Sequence, residues 1–492
     1  MIIKNKDQVT LSEVYLECQE TLETDKPKFL RLLEEHIRLE EIIPPSFYQH
    51  FHMWTGRPRE YPLHSLLWAL ILQKILSIPT DSLLLVFLHY SRELREFCGF
   101  EKVPDASKLT RFKQDFLSDI QLVFERLVDL TEPICQEIDA TKADMTIFDS
   151  SGIEALVTEN NPKYADRIIR QLKAYAKAMN FDESYDPYKA AYGNMPSCAH
   201  ANPEVKQLYI NGHFCYVYKF GLVTNGLGII RHISFYDKDF LGAHPEIVLE
   251  KKSDSPDEDK SAFDTKLVIP TLQDFFKAHP LIAPKTFLGD AAFDAIAVYK
   301  DLLAGDTFGP DKHFGKAYIP LNSTRIENPD YTINEDGVPC CPNDPTLPMR
   351  PETNTSHLRC GAPSFKFVCP KMKWLKSDDG KYRRRALCDS PCTDSASGRM
   401  IYLYPEKDLR AFPGTLRGTD DWRDTYKTRT VIERSIGHFK DAFGIAGRRT
   451  QNAMTLHSDL LLAGIAQLLS AVLALKIHRR DLLRSVKSII AA

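Results

Sequence analysis

The apolar periodicity of this chain changes character near residue 144, and that change limits the architectures open to it. Before it, segments 10–24, 27–41, 63–77, 81–97 and 106–130 carry apolar residues at helical spacing. Pro79 and Gly99 bracket the 81–97 segment, with Asp81 as N-cap and Gly99 as stop, and Asp105 or Ser107 caps the helix that follows. After it comes a short apolar run at 145–148 ending in Asp149, then a Lys/Arg-bearing helix at 162–179. Two strands, 214–224 and 228–236, flank Asn225 and Gly226, a dipeptide that favours hairpin turns. A helix at 263–277, a strand at 285–289, a helix at 293–303 and a strand at 316–321 continue the pattern. Helical spacing returns at 421–443 and 453–476. The chain thus reads as an all-helical N-terminal domain followed by an α/β domain built on a mixed sheet.

Between about 323 and 405 helical spacing disappears, and six of the eleven cysteines concentrate there with Pro, Asn and Asp. This stretch reads as an inserted piece of short strands and loops. The expected boundaries are 1–140 for the helical domain, 141–322 for the first part of the α/β domain, 323–405 for the cysteine-rich insertion, and 406–492 for the second part with C-terminal helices.

Hydrophobic residues at 43% and charged residues at 26% suit a water-soluble globular chain. No apolar stretch reaches the roughly 20 residues of a membrane span, and 460–475 is interrupted by Gln467 and Ser470. The opening MIIKNKDQVT lacks a secretory pattern, and eleven cysteines, an odd number, favour reduced thiols, so a cytoplasmic, nucleoid-associated protein without a membrane partner is expected. A net charge of −3 does not announce a nucleic-acid binder, but cations cluster locally. Lys371, Lys373, Lys376, Lys381 and Arg383–Arg385 form one group; Arg423, Lys427, Arg429, Arg434, Lys440, Arg448 and Arg449 form another. Each reads either as a solvated face or as a phosphate-neutralising patch. Lys108, Arg111 and Lys113, near the start of a short helix after a turn, read either as a surface helix or as one entering a DNA groove.

Asp149 and Asp290 each follow a strand-like run, and strand ends in α/β sheets gather ligand sites. Tyr426, Arg429, Glu433 and Lys440 form the spacing Y-x2-R-x3-E-x6-K. At about 100° per residue on one continuous helix they fall within roughly 60° of one another. An amphipathic helix with an ordinary Arg429–Glu433 pair reads equally well from that segment alone.

This spacing resembles the signature of DDE-type insertion-sequence transposases. FDSSGIEA around Asp149 is similar to that family's first-aspartate strand, and LGDAAFDA around Asp290 to its second-aspartate segment. The stretch from GRPREYPLHSLLWALILQ to VPDASKLTRFKQDF resembles the N-terminal helical domain of one branch. Ser150, Ser151 and Gly152 depart from the Gly-Thr expected after the first aspartate. The resemblance implies an RNase H-like mixed-sheet catalytic domain, interrupted by the cysteine-rich insertion. It further implies catalysis and metal binding by Asp149, Asp290 and Glu433. Two Mg²⁺ or Mn²⁺ ions about 3.5–4 Å apart would sit on them, Asp149 bridging both. Tyr426, Arg429, Lys440 and Arg434 would contact DNA, with Lys108, Arg111 and Lys113 reading the ends. The implied partners are transposon terminal inverted repeats and target DNA, met as a homodimer or larger synaptic complex.

The alternative is a domesticated, catalytically silent DNA-binding protein of the same fold. A two-carboxylate glycosidase leaves the Tyr-Arg-Glu-Lys spacing and the basic clusters unexplained. Cys360, Cys369, Cys388 and Cys392 form a candidate zinc set, although only Cys388 and Cys392 have typical ligand spacing; reduced, partly buried thiols are the other reading.

Overall fold

The computed structural model describes residues 27–52, 58–182, 184–210, 213–248, 263–322, 330–352, 364–446, 450–484 and 487–490, with Ser12 and Tyr15. The chain divides into two compact units, one of residues 1–134 and 437–492 and the other of residues 135–436. Segment 437–492 therefore belongs with the N-terminal helices, a different partition from that expected of 406–492 as one piece. The 10–24 helix lies outside the described residues apart from Ser12 and Tyr15.

The first unit is helical. It contains α1 (Lys28–His36), α2 (Pro45–Phe51), α3 (Leu63–Ile75), α4 (Asp81–Tyr90), α5 (Arg92–Cys98), α6 (Ala106–Asp115) and most of α7 (Leu117–Ile138). Thr80, not Asp81, caps α4, its hydroxyl accepting from the Leu83 N–H. The 81–97 segment is two helices because Ser91 leaves helical geometry, with an extended ψ of 114°, and caps α5 by accepting from the Leu94 N–H. Gly99 ends α5 in the left-handed region, as expected.

All of α3 except His64 is buried, and the long helix Ala453–Lys476 packs against α3 and α6. That long helix spans 24 residues and by length and composition is apolar enough to cross a membrane, which the shorter 460–475 run did not suggest. It is 89% buried over its apolar window, the pattern of a core helix.

Such all-round apolar helices tolerate charge only in pairs. Lys74 Nζ lies 2.8 Å from Asp459 Oδ1, and both side chains are fully buried. Lys113 Nζ joins them, 3.3 Å from Asp459 Oδ1 and 2.7 Å from Asp81 Oδ2, also fully buried. This corrects the expectation that Lys113 reaches DNA: its ammonium is held inside the helical core.

The second unit is mixed α/β. Its main sheet contains β1 (Met145–Glu154), β2 (Lys206–Ile210), β3 (His213–Thr224), β4 (Ile230–Phe235), β5 (Thr286–Leu288) and β6 (Lys316–Tyr318). The order is β2-β3-β1-β5-β6, with β4 also on β3. Pairing is antiparallel from β1 to β3 and from β3 to β2 and β4, and parallel from β1 to β5 and β5 to β6. Helices α8 (Pro162–Ala178), α9 (Asp264–Ala278) and α10 (Ile296–Leu303) accompany it. The β3–β4 hairpin forms where expected, but through a longer loop than a two-residue turn. Asn225 Oδ1 accepts from the N–H groups of Leu227 and Ile229, both at 3.1 Å, and Gly228 rather than Gly226 takes the positive φ.

Beyond β6 come short strands in three small sheets: β7 (Cys340–Cys341) with β8 (Asp344–Pro348), β9 (Arg350–Pro351) with β10 (Phe365–Val368) and β13 (Met400–Leu403), and a ribbon of β11 (Met372–Lys376) with β12 (Tyr382–Ala386). Arg410 and Arg417 tie the returning chain to the main sheet. Arg410 Nη2 pairs with buried Asp294 at 2.8 Å, and Arg417 Nη1 donates to the Ile319 carbonyl at 2.6 Å. Helices α11 (Asp420–Lys427) and α12 (Thr430–Ala442) follow.

Removing one partner of a buried ion pair leaves an uncompensated charge. Asp459→Asn is expected to destabilise the protein by about 3–5 kcal/mol in urea unfolding, whereas Lys108→Ala on the exposed face of α6 changes stability by less than about 0.5 kcal/mol. Equal midpoints for both variants would contradict the pairing.

Candidate active site

Asp149 sits in the middle of β1, not at a strand end: the strand runs on to Glu154 while pairing with β3, Asp149 opposite Leu222. The expectation of a terminal aspartate fails because the polar Ser150 and Ser151 still lie in the antiparallel ladder. The parallel pairing on the other edge does end there. Ile147 is level with Leu288, so two residues further along each chain bring Asp149 and Asp290 side by side. Both then share the parity of their buried neighbours Ile147 and Leu288. Asp290 caps a short 3-10 turn, its Oδ1 accepting from the Ala292 N–H at 2.5 Å.

The segment 421–443 is not one helix. It breaks between Lys427 and Thr430, with the Arg429 N–H donating to the Tyr426 carbonyl and the Ile432 N–H to the Arg429 carbonyl, three-residue spacings that tighten the backbone. Tyr426 therefore ends α11, Arg429 occupies the break, and Glu433 lies in the first turn of α12, where a carboxylate suits the helix dipole. The single stripe expected of Tyr426, Arg429, Glu433 and Lys440 is replaced by a bend. Lys440, half-buried, falls in the part of α12 assigned to the other unit.

The bend aims Arg429 at the acids. Its Nη1 lies 2.5 Å from Glu433 Oε1, and its Nη2 lies 3.5 Å from Asp149 Oδ2 and 3.4 Å from Asp290 Oδ2. One guanidinium thus gathers the three carboxylates. Side-chain exposure rises from 23% at Asp149 to 43% at Asp290 and 54% at Glu433, so the cluster opens toward solvent on the Glu433 side. Three carboxylates against one guanidinium leave an excess of negative charge. Burial pushes Asp149 from 3.8 up to about 6 despite the opposing pull of Arg429, with Asp264 and Asp290 adding to the rise.

Asp264, in the first turn of α9, is a fourth acid that the sequence pattern hid as an ordinary helix-start residue. Ser150 Oγ donates to its Oδ1 at 2.5 Å, and Lys219 Nζ neutralises it at 2.7 Å. On the other flank Tyr426 stacks on Trp422 with centroids 5.0 Å apart, and Trp422 lies against Tyr318 of β6. That stack holds the end of α11 beside the sheet. Burial pushes the Tyr426 phenol above its usual value, so it remains a protonated donor at neutral pH.

An all-oxygen, anionic donor set fits hard divalent cations such as Mg²⁺ or Mn²⁺. Among the described residues no three acid, His or Cys groups already meet as a ligand cluster. At this site Arg429 stands among the carboxylates, supplying positive charge that a bound ion would supply in its place.

Arg434 is exposed, with Nη2 3.1 Å from Thr430 Oγ1. Lys108 and Arg111 are exposed on one face of α6 in the helical unit. In the β11–β12 ribbon, Lys371, Lys373, Lys376, Lys381 and Arg385 are exposed and make no ion pair among the described residues. Lys373 lies directly opposite Arg385, and Trp374 and Tyr382 are exposed at 55% and 66%. Like charges facing each other across a ribbon repel. Cys360 lies outside the described residues, as do Arg448 and Arg449.

Residues 17–115 match the family model described as Transposase domain (DUF772). The match supports a transposase family for this chain, and with it a transposase-like, DNA-processing function that entails DNA binding. No match is found among curated proteins.

The raised Asp149 carboxyl has a measurable sign. The folded protein holds this proton more tightly than the unfolded chain does, so its contribution to stability is fully present below about pH 4 and lost as pH rises through about 6. Asp149→Asn should therefore raise stability at pH 7.5 by about 1–2 kcal/mol, with the gain vanishing near pH 4. Thermal unfolding without divalent ions across that range checks it; a less stable variant at pH 7.5 would refute the charge argument.

Proposed function

We propose that this chain is a DDE-type DNA transposase. It cleaves transposon ends by metal-dependent phosphodiester hydrolysis and joins the freed 3′-OH to target DNA. The observation that carries the reading is the convergence of three acids, remote from one another in sequence, on Arg429. The mixed sheet with Asp149 on its central strand, level with Asp290, supports an RNase H-like catalytic domain. The transposase-domain match at residues 17–115 supports the same reading independently of the acids.

Asp149, Asp290 and Glu433 are the residues that would hold two Mg²⁺ or Mn²⁺ ions. Bound there, such ions activate the attacking oxygen and stabilise the leaving one. Arg429 screens the carboxylates from one another in the resting protein. Released from them, its planar guanidinium is free to take a phosphate in bidentate fashion. Tyr426, a hydroxyl donor, and Arg434, an exposed cation next to Glu433 in sequence, would add DNA contacts. Lys108 and Arg111 in the helical unit, with Lys440, extend the DNA contacts. The exposed cations of the β11–β12 ribbon form a further surface suited to the phosphate backbone, since a two-stranded ribbon fits the major groove. Two DNA ends require a homodimer or larger assembly.

The test uses purified protein and DNA carrying the inverted repeats that flank the gene, with Mg²⁺ or Mn²⁺. Glu433→Gln and Asp290→Asn should each reduce strand cleavage to below about one-hundredth of wild type while leaving end binding intact. Cleavage should fall at acidic pH, with a midpoint that moves lower as the Mg²⁺ concentration is raised, because protons and metal compete for the Asp149 carboxylate. Equal cleavage by wild type and Glu433→Gln sinks the assignment, and the catalytically silent reading is favoured if wild type binds the ends without cutting. Lys373→Ala with Arg385→Ala should reduce the slope of log affinity against log salt by about 0.9 for each phosphate no longer neutralised. An unchanged slope removes the ribbon from the DNA surface.

A further inference from the structure

The cysteine-rich stretch holds a feature that the transposase reading neither requires nor explains. Cys341, Cys369, Cys388 and Cys392 all line one small pocket, together with Gly398 and Ala386. They arrive from three separate places. Cys341 ends β7, Cys369 directly follows β10, and Cys388 and Cys392 follow β12. Cys369 and Cys388 thus stand at the two feet of the β11–β12 ribbon.

The backbone around them is held from several sides. The Cys369 N–H donates to the Arg399 carbonyl at 2.9 Å, and the Leu387 N–H to the Lys371 carbonyl at 3.1 Å. Asn343 Nδ2 donates to the Ser390 carbonyl at 3.1 Å, joining the turn after Cys341 to the loop between Cys388 and Cys392. Gly398 adopts φ +77°, and a Cβ there would lie 2.8 Å from Cys369 Cβ, so the pocket wall needs a residue without a side chain. The Cys392 and Cys341 side chains are already hydrogen-bonding neighbours. Cys340, one residue from Cys341, does not line this pocket, and its thiol is buried beside the Val338 carbonyl.

We propose that Cys341, Cys369, Cys388 and Cys392 form a structural four-thiolate zinc site that clamps the base of the β11–β12 ribbon. Cys341 thereby replaces Cys360 in the set expected from sequence. As the side chains stand, no three ligands among the described residues are drawn together. Binding therefore requires the thiols to turn inward about their χ1 torsions, each releasing its proton as a Zn–S bond of about 2.3 Å forms. Four soft thiolates select Zn²⁺ over the hard ions suited to the carboxylate cluster. Zinc binding here does not depend on the catalytic reading.

The test is metal content and thiol titration of the full chain, reduced, equilibrated with excess Zn²⁺ and desalted. Wild type should retain about one zinc per chain, released in step with modification of four thiols by a mercurial and detected by a chelating dye. Cys388→Ser should lower retained zinc at least fivefold, while Cys198→Ser, outside the pocket, should keep it. Chelation of wild type should also increase proteolytic cleavage within the ribbon, a readout that survives should the Cys388 variant fold poorly. Metal-free wild type with freely titrating thiols, or a Cys388→Ser protein that keeps its zinc, would overturn the proposal.

Discussion

Strand β1 is the one element on which the second unit depends, because its two edges do different work. Along one edge it runs antiparallel to β3 over its C-terminal eight residues; along the other it runs parallel to β5 for only three. The long ladder fixes register, since a one-residue slip would turn the buried Ile147 and Ile153 to the opposite face. The short ladder ends just before Asp149. That ending frees one edge of the strand at the point where the carboxylate stands, while the other edge continues to hold it. The site is thus a place where the parallel sheet stops and the antiparallel sheet carries on. Gly152 and Gly221 keep the long ladder close: a Cβ on Gly152 would meet Val217 at 2.7 Å, and one on Gly221 would collide with the Tyr236 hydroxyl.

Gathering acids at that point costs free energy, and Arg429 offsets part of it. Its own burial opposes its charge, a penalty outweighed by Asp149, Tyr426, Glu433 and Asp290 around it. The Nε atom is buried with no hydrogen-bond partner among the described residues, so the guanidinium is committed to the acids through Nη1 and Nη2 alone. A side chain held mainly by charge, with one donor unsatisfied, is held less firmly than one whose donors are all paired. Structural ion pairs in the helical unit are built differently: Lys74, Lys113 and Asp459 are all fully buried, without the graded exposure seen from Asp149 to Glu433.

Much of this was readable from residue order. The shift from helical to mixed patterning and the hairpin at Asn225 came from periodicity and turn chemistry, and the family resemblance singled out three acids whose side chains meet at Arg429. What stayed hidden depends on tertiary context. Helical spacing treats Tyr426 to Lys440 as one cylinder, because Thr428 and Arg429 carry no proline or glycine to mark a break. Lys108, Arg111 and Lys113 look equivalent in a short basic helix, yet only partners in α4 and the 453–476 helix decide that Lys113 is internal. Asp264 resembles any helix-opening acid until Ser150 and Lys219 are seen beside it.

The position of the cysteine-rich stretch follows from the same geometry. It leaves the sheet after β6 and returns before α11, so Glu433 lies downstream of it while Asp149 and Asp290 lie upstream. Any movement of the return path would be transmitted to the third acid. Arg410 and Arg417 prevent that by gripping the sheet side directly, through Asp294, the Asn322 and Ile319 carbonyls and the Tyr299 hydroxyl. Gly414 passes so close to the Gly315 carbonyl that no side chain fits. The chain is pinned on re-entry before it reaches Trp422, whose stack with Tyr318 and Tyr426 sets where α11 ends. From there the tight turn at Arg429 needs only a few residues to bring Glu433 to the aspartates. The register of the third acid is therefore set by contacts made after the short strands of residues 340–403, not by those strands.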